Sequence, residues 1–238
     1  IPTKVGMIGL RLAALQPTII FIMKIRKIEE KDFELILETD KKLYPTDSPV
    51  TKETIRSWYI KNPEFGMIFE KDLSLIGNCI IIPLNKNGWK GLIEGKLKES
   101  DLTERYIFAN SRDKEICFHI YHIEKFSEEI REFYKIVLSE IASILNNLRK
   151  SNESLKIGGF SGLCVTSEGI GLFEDKLNCH ERGLIVDEHI LEKNGKRIVA
   201  NSTQESKEKK KQGYTYLNRC KMLVVYPKEQ SIIWHYLK

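Results

Sequence analysis

The polar chemistry of this chain gathers on one short stretch. Cys117, His119 and Tyr121 alternate along Ile116–Ile123, so on a β-strand they share a face, and His122 points to the other. An imidazole exchanges protons near neutral pH, and thiol and phenol groups can join in acid–base or nucleophilic work. The plainer reading is a half-buried, hydrogen-bonded histidine beside a core tyrosine. Cys179 and His180 could complete a zinc set with Cys117 and His119. The spacing fits no ordinary ligand pattern, so no metal is expected.

Three other features invite a chemical reading. Gly158-Gly159-x-x-Gly162 lies inside a predicted strand with no helix directly after it. It therefore reads as close backbone approach or a bulge, not as a nucleotide loop. Trp89, among Gly88, Gly91 and Gly95, could belong to a substrate-covering loop or to a packed surface excursion. The run Lys207–Lys211 has no interleaved aromatics, which argues for a solvated loop and against nucleic acid.

The elements that must hold these residues follow from periodicity. Met23–Ile28 alternates as a strand, and residues 30–43 carry Phe33, Ile36, Leu37 and Leu43 at helical spacing. Thr51 caps a second short helix that ends near Asn62-Pro63. Phe65–Phe69 and Leu73–Leu84 form a hairpin, and Ile80-Ile81-Ile82 implies burial on both faces. Residues 85–105 form an ordered polar excursion, and Tyr106–Ala109 begins a further strand. After the strand Ile116–Ile123, Ser127 caps a long helix to about Leu148. A strand Leu155–Val165 and a short helix Ser167–Leu177 follow. Residues 179–186 and 215–226 are closing strands, and Gln204–Gly213 between them is a mobile charged loop. The order predicts an α/β fold, a mixed sheet with helices on its faces.

Composition sets the outer limits. The chain has 238 residues, 42% hydrophobic and 30% charged, which excludes a disordered chain, a collagen-like chain and a small disulfide scaffold. The net charge of +5 is concentrated in residues 1–22, with Lys4, Arg11 and no acid, and in the Lys207–Lys211 run. Five cysteines without a CxxC pair indicate a reduced, cytoplasmic protein. The apolar stretch Leu12–Met23 is broken by Gln16, Pro17 and Thr18 and is too short to span a membrane. Residues 1–22 are expected to be a leader or extension outside the core. Residues 23–238 would form one domain with a charged insertion at about 187–213. Monomer and homodimer are both open.

Several segments resemble the GNAT superfamily of N-acetyltransferases. Met23–Leu43 is similar to the family's opening strand and helix. Asn62-Pro63-Glu64-Phe65, Ile76-Gly77-Asn78 and Pro83-Leu84 are similar to its second and third strands. Gly171-Leu172-Phe173-Glu174-Asp175-Lys176-Leu177-Asn178-Cys179-His180-Glu181-Arg182-Gly183 resembles the family's late LYEKLGFxERG signature. The resemblance implies a mostly antiparallel twisted sheet, acetyl-CoA as co-substrate and a primary amine as acceptor. It also implies a splayed strand pair that seats the pantetheine arm, and it makes His119 or Tyr121 the general base. The family's [Q/R]-x-x-G-x-[G/A] pyrophosphate loop corresponds to Ile123-Glu124-Lys125-Phe126-Ser127-Glu128-Glu129-Ile130-Arg131, which has no glycine. Ile123, Lys125, Phe126, Ser127, Glu128, Glu129, Ile130 and Arg131 are then the cofactor-binding candidates, with Thr166 and Phe173. Glu128 and Glu129 oppose a phosphate, while Lys125, Ser127 and Arg131 offset them. Phe173 stands where many members have a tyrosine acid. The alternative is a GNAT-fold binding or scaffold module without catalysis.

Overall fold

The computed structural model describes residues 23–72, 74–127, 130–182 and 185–237. Its strands are β1 (Lys24–Lys27), β2 (Gly66–Lys71), β3 (Ser74–Leu84), β4 (Glu115–Lys125), β5 (Lys156–Cys164), β6 (His180–Glu181), β7 (His189–Lys193), β8 (Lys196–Ala200), β9 (Thr215–Arg219) and β10 (Lys221–Val225). Its helices are α1 (Phe33–Leu43), α2 (Lys52–Tyr59), α3 (Lys86–Ile93), α4 (Phe133–Arg149), α5 (Ser167–Gly171), α6 (Thr203–Lys211) and α7 (Ile233–Leu237). Seven strands make one mixed sheet in the order β1-β2-β3-β4-β5-β10-β6. Every pair is antiparallel except β4–β5, which is parallel. No helix among the described residues is long and apolar enough to cross a membrane.

Strand alternation sorts the centre of the sheet into two faces. On one, Phe118 lies between Phe65 and Phe160, with ring centroids 5.6 and 6.1 Å away, and Phe173 sits over Gly162. On the other, His119 and Ser161 lie side by side beneath the α3 region. Thr51 caps α2 as expected, accepting from the Thr54 amide. Ile80, Ile81 and Ile82 are wholly buried, as their unbroken apolar run required.

The glycine pattern on β5 is a bulge. Ile116 pairs with Ile157 but Cys117 with Gly159, leaving Gly158 as the extra residue. A Cβ on Gly158 would lie 2.6 Å from the Cys117 sulfur, and one on Gly159 would lie 2.2 Å from the Trp89 ring. These positions are glycine because a neighbour occupies the space of a side chain.

Several expected elements differ. Residues 85–105 contain α3, capped by Asn85, and a 3-10 turn Glu99–Asp101. Tyr106–Ala109 is not a strand; it makes a single bridge, Ile107 to Leu84. The charged segment expected as a loop is mostly ordered. Strands β8-β7-β9 form a second sheet, and α6 is capped by Ser202, which accepts from the Glu205 amide. The 215–226 strand breaks at Cys220 into β9 and β10, one in each sheet. The 179–186 strand shrinks to β6. The Ser167–Leu177 helix is α5 followed by a π-helical turn, Leu172–Lys176. Ser127 does not cap α4. That helix opens at Phe133 behind Glu132, whose left-handed φ of 48° makes the corner.

Candidate functional site

The site is made where β4 and β5 stop pairing. Their ladder runs from Glu115–Lys156 to Ile120–Gly162 and ends there. Beyond it, β4 pairs only with β3, and β5 only with β10. A strand edge without a partner leaves backbone N–H and C=O groups to be met by something else. The parted strands open a cleft of about 290 Å³, lined by Ile120–Phe126, Gly162–Thr166 and Phe173.

A bulge in β4 shapes the mouth of this cleft. Ile81 pairs with Ile120 and Ile80 with His122, so Tyr121 is the inserted residue. His122 is thereby returned to the cleft side, contrary to its expected place on the opposite face. Its ring meets Tyr121 edge-on at 4.6 Å. Trp58 of α2 packs on the other edge of Tyr121 at 5.1 Å. The Tyr121 hydroxyl is buried and makes no hydrogen bond among the described residues. Burial, together with the charges of Asp40 and Glu99, pushes its pKa above the ordinary phenol value. Burial therefore holds the Tyr121 hydroxyl in its protonated form.

His122 is charged. Burial opposes the charge, but Asp40 at 3.4 Å and Glu124 at 3.8 Å overcome it and raise the pKa to about 9. Asn78 holds the Glu124 carboxylate from behind, at 3.1 Å.

His119 does not reach the cleft. It is 0% exposed, and both ring nitrogens are engaged: Nδ1 with Ser161 Oγ at 3.0 Å, and Nε2 with Glu99 Oε1 at 2.8 Å. The Trp89 indole donates to Ser161 Oγ, at 2.9 Å. Ser161 Oγ also lies 3.5 Å from the Phe118 carbonyl oxygen. Cys117, on the same face, is a buried thiol pushed up to about 12 mainly by that burial, so it is no nucleophile at neutral pH.

Glu99 is the residue that sequence reasoning missed. It lines the cleft and also a second cavity of about 290 Å³ between α1, the excursion after α3 and residues 185–188. Tyr44, Asp40, Tyr121 and Leu163 are likewise shared by the two cavities.

Five expected cofactor residues border the cleft: Ile123, Lys125, Phe126, Thr166 and Phe173. Thr166 also caps α5, accepting from the Gly169 amide. Ser127 and Arg131 instead line a separate hollow with Met23, Lys71 and Ile76; Ile130 borders that hollow and a groove at the start of α4. Glu128 and Glu129 lie outside the described residues. The groove continues from Ile123 and Lys125 past the first turn of α4, with Lys176, Glu132, Glu168 and Asp175 around it. That first turn contains no acid. Around the groove the three acids Glu132, Glu168 and Asp175 outnumber the two bases Lys125 and Lys176.

No protein-family profile matches the chain, and no curated protein matches it in sequence. Solved structures do. The loading GNATL domain of CurA from Lyngbya majuscula is 10% identical, with a TM-score of 0.49, covering 90% of this chain and 99% of that one. Ard1 from Thermoplasma volcanium is 10% identical with a TM-score of 0.40, covering 86% and 97%. Arabidopsis thaliana Naa50, in complex with the bisubstrate analogue CoA-Ac-MVNAL, is 9% identical with a TM-score of 0.43, covering 85% and 97%. The described residues form a mostly antiparallel seven-strand sheet whose single parallel pair parts after Ile120 and Gly162.

Proposed function

We propose that this protein is an N-acyltransferase that moves an acetyl group from acetyl-CoA to a primary amine. The observation that carries the reading is the parting of β4 and β5 after Ile120 and Gly162. An extended pantetheine arm has the shape and the alternating amide groups to fill such a gap. Its amides would meet the backbone of Tyr121–Ile123 and Leu163–Cys164, which lacks a ladder partner across the cleft. Lys125, Lys176 and the first-turn amides of α4 are the groups suited to the pyrophosphate, without a glycine loop.

The chain's own residues divide the work. The backbone amides of the β4 bulge suit the developing oxyanion of the thioester carbonyl. Tyr121 would donate to the departing thiolate. That supplies the acid which Phe173 cannot, since Phe173 is 2% exposed and packed on Gly162. Holding amine and thioester together supplies much of the rate.

A second reading, a binding module without turnover, draws on the same Phe173. One titration separates the two from a chain with no acyl-CoA site. A ligand bound only by the folded state raises the melting temperature in proportion to RT ln(1 + [L]/Kd). Millimolar acetyl-CoA should raise it by several degrees, and thiol release with an amine should follow. An unchanged melting temperature refutes both readings; a shift without thiol release leaves the binding module.

A further inference from the structure

We propose that Glu99 is the catalytic base of this site, and that its acceptor is a small primary ammonium with an apolar body. The proposal rests on the acyl-transfer reading above. Five carboxylates line the two cavities: Asp40, Glu99, Glu124, Asp187 and Glu188. Four already have a strong partner. Asp40 lies 3.4 Å from His122, and Glu124 lies between His122 at 3.8 Å and Asn78 at 3.1 Å. Asp187 accepts from the amide and the hydroxyl of Thr203 and lies 3.0 Å from His189. Glu188 accepts from the Tyr44 hydroxyl.

Glu99 is held differently. Its neighbour His119 meets Oε1 through Nε2 at 2.8 Å, and that imidazole is fixed in turn by Ser161 and Trp89. This buried chain of side chains fixes one carboxylate oxygen, Oε1, and leaves Oε2 to take a proton. The side chain is 13% exposed and stands where the thioester cleft meets the second cavity. An amine in the second cavity would reach a thioester in the cleft past this carboxylate.

The cavity specifies what kind of amine. Val50, Leu92, Leu97, Val186 and Met222 are among its lining, and Glu99 and Asp40 line both this cavity and the cleft. At about 290 Å³ it suits a compact alkyl or aryl ethylamine better than a folded protein's lysine or a long peptide. The proton balance is closed. Glu99 takes one proton from R–NH3+ and passes it to solvent. The free amine attacks the carbonyl carbon, the C–N bond forms and the C–S bond breaks. The second proton lost by nitrogen leaves with the thiolate as the thiol. His119, Ser161 and Trp89 are positioning residues.

The test uses the full chain, acetyl-CoA, and phenethylamine and hexylamine as probes, with thiol release as the readout. Glu99→Gln keeps the shape and the acceptor for His119. It should retain the acetyl-CoA melting shift and lose about 100-fold or more in turnover near pH 7. Its remaining rate should climb with pH, as amine deprotonated in bulk solution takes over. Ser161→Ala should lower kcat by roughly tenfold and leave KM for acetyl-CoA unchanged, the mark of a positioning role. A Glu99→Gln variant with wild-type turnover and pH profile overturns the base assignment. Wild-type protein that shifts with acetyl-CoA but acetylates neither amine overturns the acceptor assignment. No acetyl-CoA shift in the wild type removes the acyl-transfer reading itself.

Discussion

The two halves of β4 are built to opposite rules. From Cys117 to Ile120 the strand is paired on both edges, and its side chains are closed off: Phe118 between two aromatic rings, His119 with both nitrogens bonded. From Tyr121 onward it is paired on one edge only, a bulge turns two consecutive side chains toward the cleft, the Tyr121 hydroxyl has no hydrogen bond among the described residues, and His122 reaches Asp40 only at 3.4 Å. The same strand is scaffold in one half and site in the other. What changes between them is the partner on the β5 side, not the kind of residue. Polar groups left unmatched in a folded protein are costly, so their concentration beside a cavity marks where a ligand would complete the structure.

Substitutions can test this contrast, beginning with the scaffold half. Phe118→Ala should cost about 3–5 kcal/mol in urea unfolding, because a large ring leaves a closed space that cannot collapse. A loss under about 1 kcal/mol would show that this half is not the tightly packed one. Ser161→Ala strands the Trp89 indole N–H and His119 Nδ1 together, and should cost about 2–4 kcal/mol at neutral pH.

The site half should answer to pH. The folded-state pKa of His122, about 9, lies above its unfolded value near 6.5. Its contribution is therefore complete below about pH 6.5 and fades as pH rises through 9. Unfolding curves at pH 6 and 9.5 should differ by about 1–2 kcal/mol more in the wild type than in His122→Gln. Equal pH dependence in the two proteins would mean that the Asp40 and Glu124 pairs are not felt. The smallest effect belongs to Tyr121→Phe. Removing a hydroxyl that has no partner should change stability by less than about 0.5 kcal/mol, while thiol release falls. A large stability loss would instead place the hydroxyl in the scaffold.

How far the sequence revealed this arrangement depends on how local each signal is. Strand β4, the amphipathic face of α4 and the close approach at Gly158–Gly159 rest on spacing within a few residues, and they were legible. The α4 start was misplaced because Ser127 is a good cap by type, while the corner is made by Glu132 in a left-handed conformation, which no propensity announces. The second sheet did carry a signal that went unread: Asn194-Gly195, both with positive φ, is the two-residue hairpin turn that joins β7 to β8. Helix α6 is polar nearly all round, so it has no stripe to detect, and only Ser202 marks its start. Glu99 was out of reach. Its meaning comes from His119, twenty residues away in sequence, and from Trp89 reaching Ser161 across the sheet.

The fit of Trp89 over Gly159 has a consequence for descent. A Cβ at position 159 would sit inside the indole ring, so no side chain can enter there while Trp89 stays, and a smaller residue at 89 would leave a void over the bare backbone. The two positions can drift only together. In any diverging lineage of this chain they should pass on as one unit, tryptophan with glycine or neither, and an inherited split of the pair would mark the loss of the hydrogen-bonded chain that ends at Glu99.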